Sequence, residues 1–283
     1  MFQFFTQVAQ AAQAYPGLNR NPHIPYIESR MKIAILTFAV GADYKRAIEP
    51  GMATKRAYAA KHGYDFLDGG DDVWDRSRPI PWSKIRFILK HLDSYDYLFW
   101  SDGDVIITNP EKRLEDVLVS QMPAGKDMLW CRDACGNLNN GNVLFRGRSA
   151  WARDFLERCY AQTDLKHHIW WDNAAFCRLF ETVEGDKAMT ETIEDPARFN
   201  AYLFDRENRT ESSVRLYEPG DFLVHFAGVY DALNIHRCMV YIGRCAAANV
   251  APDRGLLARW RIAPPLTLAQ AAAEGSAAAT AGA

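Results

Sequence analysis

The sequence lacks several features that mark whole classes of protein. It contains no run of about 18 or more apolar residues, so it encodes no transmembrane helix. Its formal net charge is −2, which provides no general electrostatic attraction to nucleic acid or to an acidic membrane. No internal repeat is present. With 48% hydrophobic and 24% charged residues, the composition is typical of a soluble globular protein.

Disulfide, zinc and targeting signals are also missing. The six cysteines show no paired zinc-knuckle spacing, and a chain of 283 residues does not need a disulfide framework, so we expect free, buried thiols. The first residues lack a basic stretch and carry only a broken apolar run, which makes a poor secretory signal. We therefore expect a cytoplasmic protein, with peripheral membrane association left open. The sequon Asn208-Arg209-Thr210 is then interpreted as accidental.

Composition divides the chain into three parts. Residues 1–30 have no sustained periodicity and are predicted to form an arm. Residues 31–265 carry the regular patterns of one α/β domain, and residues 266–283, rich in Ala and Gly, are predicted to form a flexible tail.

Strands and helices are predicted to alternate within the domain. Strands are expected at 33–38, 64–67, 95–100, 127–131, 142–146 and 222–226, and helices at 48–62, 83–91, 151–160 and 172–180. Gly63 is the expected end of the first helix, while Ser83 and Ser149 are expected N-caps. This order predicts a mainly parallel sheet with helices on both faces, in which ligands bind beyond the carboxyl ends of the strands.

The strongest chemical signal directly follows strand 95–100. Asp102 and Asp104 are separated only by Gly103, and at i and i+2 of an extended chain both carboxylates can point the same way. Two such groups can hold a hard divalent cation, and Gly103 would let a diphosphate approach the backbone. That ion would stabilise a leaving diphosphate as a Lewis acid. The plainer alternative is a polar turn; the position after a buried strand favours the metal.

A rival enzyme class also places Asp-x-Asp after a buried strand. Phosphatases of the haloacid-dehalogenase type use the first Asp as a nucleophile, usually near the start of the domain. Here the motif lies about 70 residues into the domain. No acidic pair follows a later apolar strand, and Asp71-Asp72 precedes the motif. The phosphatase therefore stays the weaker hypothesis.

A second signal is the segment LVHFAG. Strand 222–226 carries His225 close to its end, where a neutral imidazole beside two carboxylates would complete a three-residue Mn²⁺ site. Gly228 would leave room for phosphate. A buried core histidine is the plainer alternative.

Three weaker signals complete the set. Asn139-Asn140-Gly141 predicts a tight turn before a strand, with a simple loop as the alternative. Asp172 and Asn173 open a helix, where Asp172 could serve only as an N-cap. Lys84 lies in a first helical turn against the helix dipole, which invites an anionic partner, although an exposed lysine there costs little.

In this order the segments resemble glycosyltransferase family 34, which contains fungal α-galactosyl- and mannosyltransferases and plant xyloglucan xylosyltransferases. The likeness spans 32–228 and rests on KIAILTF, PWSKI, WSDGDVIITNP, NNGNVLFR, DNAAF and VHFAG. It implies the Rossmann-like GT-A fold and a Mn²⁺ cofactor, with Mg²⁺ as the alternative. It also implies transfer with retention from a nucleoside-diphosphate sugar to a glycan or glycoconjugate acceptor, with a UDP-sugar favoured over GDP-mannose and no nucleic acid as partner.

The resemblance also implies roles for individual residues. Metal ligands would be Asp102, Asp104 and His225. Asp172 and Asn173 would be catalytic positions at the donor sugar. The remaining contacts to the nucleotide sugar would come from Thr37, Phe38, Ala39, Lys84, Asp102, Gly103, Asn140, Gly141 and Gly228.

The sequence departs from the family pattern at three points. Asn173 stands where the family generally has Gln, and Val229-Tyr230-Asp231 lacks the usual Cys or Lys. His236 or Arg237 could supply the missing cation. Typical members are anchored in secretory membranes, and the absence of an anchor favours a microbial or viral relative.

A catalytically silent binding protein is the alternative function, which the intact acids and histidine disfavour.

Overall fold

The computed structural model describes residues 30–204, 215–229 and 231–262. Almost all of the predicted arm, the predicted tail and the sequon at 208–210 lie outside these described residues. The division into arm, domain and tail therefore stays a prediction. Within the described ranges, no helix combines the length and apolar character that crossing a bilayer would require.

Strands and helices alternate along most of the described chain. The strands are β1 (Ile33–Phe38), β2 (Asp65–Gly69), β3 (Tyr97–Ser101), β4 (Val105–Ile107), β5 (Met128–Arg132), β6 (Leu138–Arg146), β7 (Thr190–Ile193) and β8 (Leu223–His225). The helices are α1 (Ala42–His62), α2 (Ser83–His91), α3 (Leu114–Val117), α4 (Ala150–Ala161), α5 (Trp171–Thr182), α6 (Glu184–Ala188), α7 (Ala232–Ala248) and α8 (Arg254–Ile262).

Six strands form the main sheet in the order β2-β1-β3-β6-β5-β7. Strand β6 runs antiparallel to both of its neighbours, and the other pairs are parallel, so the predicted mainly parallel sheet is confirmed. The predicted strand around His225 is present as β8, but it pairs with β4 in a separate two-stranded sheet. This pairing places Val105 opposite His225. It therefore brings the histidine beside the chain that leaves Asp104.

Side-chain alternation in the strands builds a core on each face of the main sheet. In β1, Ala34 and Leu36 join the core that contains apolar residues of α2, α4 and α5. Ile33 and Ile35 join the opposite core, to which α1 and α3 contribute. Successive strand residues point to opposite faces, and all four are buried, so this strand is covered on both sides. The prediction of helices on both faces is confirmed.

Helix α1 begins at Ala42, earlier than predicted. The prediction placed its start near residue 48. Proline lacks an N–H donor and is best tolerated in a first helical turn. In the structure Pro50 lies inside the helix. The helix also packs closely on β4, since a Cβ on Gly51 would meet the Val105 carbonyl oxygen at 2.5 Å. Gly63 ends the helix in the left-handed conformation, as predicted.

The predicted tight turn at Asn139-Asn140-Gly141 is wrong. These residues lie inside β6, where Asn139 pairs with Cys131 of β5. The chain instead reverses at 133–137, where the Asp133 N–H donates to the Asn137 carbonyl oxygen over 2.6 Å. Sheet pairing on both edges of β6 overrides the local turn preference of Asn-Gly.

One predicted N-cap is confirmed and one is wrong. The Ser149 hydroxyl accepts a hydrogen bond from the Ala152 N–H at the start of α4. Ser83 is itself helical, because a short 3₁₀ turn over Ile80–Trp82 runs directly into α2. Its hydroxyl instead accepts the Asp75 N–H over 3.0 Å.

Candidate active site

The two motif acids stand just beyond the carboxyl end of β3. Strand β6 fixes this point, because the Asp102 N–H donates to the Gly141 carbonyl oxygen over 2.8 Å. The Asp102 carboxylate accepts a hydrogen bond from Trp100 Nε1 over 2.7 Å. The backbone and one oxygen of Asp102 are therefore held by the sheet, at the edge where α/β folds bind ligands.

Asp102, Asp104 and His225 come together as one group of three possible metal ligands. One ligand atom of each lies within 4.8 Å of the others. His225 Nε2 is 3.4 Å from Asp104 Oδ1 and 4.0 Å from Asp102 Oδ2. Two carboxylates and an imidazole suit Mn²⁺ or Mg²⁺, so these residues fit the ion that the sequence predicts.

The second ring nitrogen of His225 fixes the orientation of the imidazole. His225 Nδ1 lies 2.8 Å from Asn200 Oδ1, which also accepts the Asn142 side-chain N–H over 2.7 Å. The amide orientation of Asn200 is supported by its N–H group, which donates to the Tyr202 hydroxyl. Because Asn200 Oδ1 is an acceptor, Nδ1 donates this hydrogen bond, and Nε2 faces the acids.

Gly141 makes room for this imidazole. A Cβ at position 141 would clash with His225 Cε1 and lie 2.9 Å from its Nδ1. The imidazole can therefore occupy this position only because residue 141 is a glycine.

Lys84 is buried between the acids, with 4% of its surface exposed. Its Nζ lies 3.1 Å from Asp102 Oδ1 and 3.3 Å from Asp172 Oδ2. It also donates to the backbone and side-chain oxygens of Asn140, both over 3.1 Å. Burial lowers the pKa of Lys84, but the Asp102 and Asp172 carboxylates outweigh this effect and raise the pKa above its ordinary value. Lys84 therefore joins the two carboxylates as a permanent cation.

Asp172 and Asn173 reach the same cluster from the first turn of α5. The Asp172 Oδ2 accepts the Asn140 side-chain N–H over 2.8 Å, so this carboxylate does not cap the helix. Asn173 Oδ1 accepts the Asn140 backbone N–H over 2.9 Å. Burial raises the pKa of Asp172, and the Lys84 ammonium opposes that rise.

Of the residues predicted to contact the nucleotide, some lie in the hydrophobic core and one lines a surface cleft. Thr37 and Phe38 are buried, and the Phe38 ring packs 5.5 Å from that of Trp100. Ala39 lines a cleft of about 260 Å³ at the ends of β1 and β2. A Cβ on Gly103 would lie 3.4 Å from the Phe38 carbonyl oxygen, so the motif packs directly against this end of β1.

The remaining predicted positions lie around β8 and α7. Gly228 follows β8 with φ at +81°, a conformation that favours glycine. Arg237 is buried and donates to the Trp260 carbonyl oxygen, and His236 Nδ1 lies 2.9 Å from the Ala47 carbonyl oxygen. Arg237 thus links α7 to α8.

Sequence reasoning missed three polar residues of the site. Lys55 is buried in α1 and donates to the Asp102 and Gly103 carbonyl oxygens. Burial lowers its pKa to about 8, against the opposing effect of the acids. Burial and the charges of Asp104 and Asp102 raise the pKa of Tyr44, whose ring packs near Gly103. Asn200 is the third.

Comparisons with known proteins show which family and which fold this chain resembles. Residues 31–125 match the family model of the galactosyl transferase GMA12/MNN10 family, a segment that contains Asp102 and Asp104. The match confirms the family resemblance over this segment and the enzyme class predicted with it, glycosyltransferase. The comparison with curated proteins found no significant match.

Solved structures show the fold. A glycosyltransferase involved in glycosylation of the major capsid of PBCV-1 is 13% identical, with 74% of this chain and 98% of that chain covered at a TM-score of 0.52. GlyE of Streptococcus pneumoniae TIGR4 is 14% identical, with 87% and 64% covered at a TM-score of 0.50. The bifunctional WbbM is 11% identical, with 84% and 53% covered at a TM-score of 0.50. The fold is GT-A, as predicted. This chain spans less than two thirds of the length of GlyE and of WbbM.

Proposed function

We propose that this glycosyltransferase moves a hexose or pentose from a nucleoside-diphosphate sugar to a hydroxyl group of a glycan acceptor, with retention of configuration. A UDP-sugar is favoured over GDP-mannose by the family resemblance. The observation that carries the proposal is the convergence of Asp102, Asp104 and His225 at the end of β3.

These three residues would hold Mn²⁺, with Mg²⁺ as the alternative. When bound, such an ion supplies Lewis-acid stabilisation of the departing diphosphate. Hydrogen bonds within the protein orient the side chains that would bind the ion. Asn200 holds the His225 ring through Nδ1, and the Trp100 indole holds one oxygen of Asp102.

The nucleoside would occupy the cleft that Ala39 lines, since Gly103 packs against the neighbouring end of β1. Gly103 and Gly228 would let the diphosphate approach the backbone. Besides the donor contact that the resemblance implies for it, Lys84 would support the site through its two ion pairs. It compensates the charges of Asp102 and Asp172, which otherwise repel each other.

The bonds of Asp172 favour attack on the front face of the sugar. A double displacement would need a free carboxylate nucleophile, whereas Asp172 is buried and its Oδ2 is engaged by Asn140 and Lys84. The leaving phosphate would accept the acceptor's proton. Asp172 and Asn173 would orient the donor and stabilise positive charge that develops on the sugar.

Calorimetric titration with UDP-sugars and GDP-mannose, with and without Mn²⁺, tests the proposal together with a turnover assay. We expect Mn²⁺-dependent binding of a UDP-sugar and slow hydrolysis or transfer. Asp104→Ala and His225→Ala should each abolish Mn²⁺-dependent binding with little change in fold. Asp154→Ala is the matched control, because Asp154 is exposed on α4 and pairs only with Arg158 in the described structure.

Two results would contradict the proposal. Full activity in both site variants would mean that the metal site is elsewhere. Metal-dependent binding without any turnover would favour a silent sugar-nucleotide-binding protein.

A further inference from the structure

Three consecutive apolar side chains are exposed at the start of α5. Ile169, Trp170 and Trp171 are 80%, 40% and 44% exposed. Trp171 adopts φ +48°, in the left-handed region that bulky residues rarely occupy. Backbone strain of this kind clusters at ligand-binding segments, and here it accompanies two adjacent exposed indoles.

Backbone bonds hold this segment in place. The Trp171 N–H donates to the His168 carbonyl oxygen over 2.9 Å, and the Asn173 N–H donates to the Trp170 carbonyl oxygen over 3.0 Å. The Trp170 N–H also donates to His168 Nδ1 over 3.0 Å, and the two rings lie 5.7 Å apart. Upstream, the buried Trp82 donates to the Lys166 carbonyl oxygen. The indoles are therefore presented on a structured loop.

The loop is continuous with the charged cluster. Trp171 directly precedes Asp172, so their Cα atoms are about 3.8 Å apart. The Asp172 carboxylate turns inward to Lys84 and Asn140, while the two preceding indoles remain exposed. One short segment thus joins the interior of the site to an aromatic surface outside it.

We propose that Trp170 and Trp171 form a stacking platform for the acceptor glycan. This inference rests on the proposed function and identifies the acceptor as a carbohydrate recognised through the apolar face of a sugar ring. An indole offers a flat apolar surface and an N–H donor, which together match the C–H face and hydroxyl edge of a pyranose. The neighbouring His168 adds a polar group beside the rings, as a carbohydrate needs and a lipid surface does not.

The test compares Trp→Phe with Trp→Leu at each position. Phe keeps a stacking face, whereas Leu keeps only apolar character, so the pair separates sugar stacking from general hydrophobic docking. Val183→Ala is the control, because Val183 is 37% exposed at the opposite end of α5. The probes are methyl glycosides of glucose, galactose, mannose and xylose, with lactose, maltose and cellobiose.

Indole N–H resonances are followed by NMR during titration with each saccharide, with and without UDP and Mn²⁺. We expect at least one probe to shift the resonances of Trp170 and Trp171 saturably. The Leu variants should weaken that binding about tenfold, the Phe variants far less, and Val183→Ala not at all.

Unshifted indoles with every saccharide would overturn the proposal, as would equal effects of Phe and Leu. Capture of the wild type on phosphatidylcholine–phosphatidylglycerol vesicles without saturable saccharide binding would favour a membrane surface and equally overturn it. Failure of the proposed function appears separately, as absence of Mn²⁺-dependent UDP-sugar binding in the wild type, because saccharide binding is also measured without nucleotide.

Discussion

Substituting Gly141 by alanine separates two interpretations of this residue. The family resemblance assigns Gly141 to the border of the sugar, whereas the structure places it against the His225 ring. A new Cβ would clash with His225 Cε1 and lie 2.9 Å from both His225 Nδ1 and Asn139 Oδ1. The ring would have to move, and its movement would disturb the bond between His225 Nδ1 and Asn200.

The expected magnitude follows from this contact. Overpacking of a buried site costs about 1–3 kcal/mol of unfolding free energy, so the protein should still fold. Moving a metal ligand through its supporting residues typically lowers metal affinity about 10- to 100-fold. We therefore expect Gly141→Ala to raise the Mn²⁺ concentration required for UDP binding by at least tenfold.

Titration of Mn²⁺ at fixed UDP by calorimetry measures this midpoint, with circular dichroism and urea unfolding as checks of the fold. Gly185→Ala is the control, because a Cβ there meets nothing within 4 Å. An unchanged Mn²⁺ midpoint with a raised KM for the donor sugar would refute the reasoning. It would show instead that Gly141 borders the donor sugar, as the family resemblance implies.

Two further substitutions test residues that touch no ligand in this proposal. Asn200→Ala removes the acceptor that orients His225, so we expect the Mn²⁺ affinity to fall about 10- to 100-fold in the same titration. Asn200→Asp keeps an acceptor at this position and should retain more of the affinity. Equal Mn²⁺ affinities for Asn200→Ala and the wild type would contradict this role. Lys55→Met leaves the Asp102 and Gly103 carbonyl oxygens without their buried donor, which should lower the unfolding free energy by about 1–3 kcal/mol in urea titrations. A stability equal to that of the wild type would show that these carbonyl groups find other partners.

Some site residues could be predicted from the sequence and others could not, because only some of them lie in a recognisable local pattern. Asp102, Asp104 and His225 could be proposed because each follows or ends an apolar strand, a local pattern visible in the chain. Lys55 also left a signal, since it lies three residues from the buried Met52 and Tyr58 on one stripe of α1. Asn200 left none, because its role depends on a partner that is 25 positions away.

The local strand contacts were harder to predict than the strand positions. The pattern of residues 142–146 indicated a strand but not its antiparallel direction, nor its extension back to Leu138. Direction depends on which neighbours a strand meets, here β3 and β5.

The sequence by itself determined the α/β class, the family resemblance and the strand end at which the acids stand. Hydrophobic periodicity and motif order encode these properties between near neighbours in the chain. Only the tertiary structure decided that Lys84 is buried between Asp102 and Asp172, and that Gly141 accommodates the His225 ring. Those contacts join segments far apart in the chain, and their distances depend on how β6, β8 and α2 pack together.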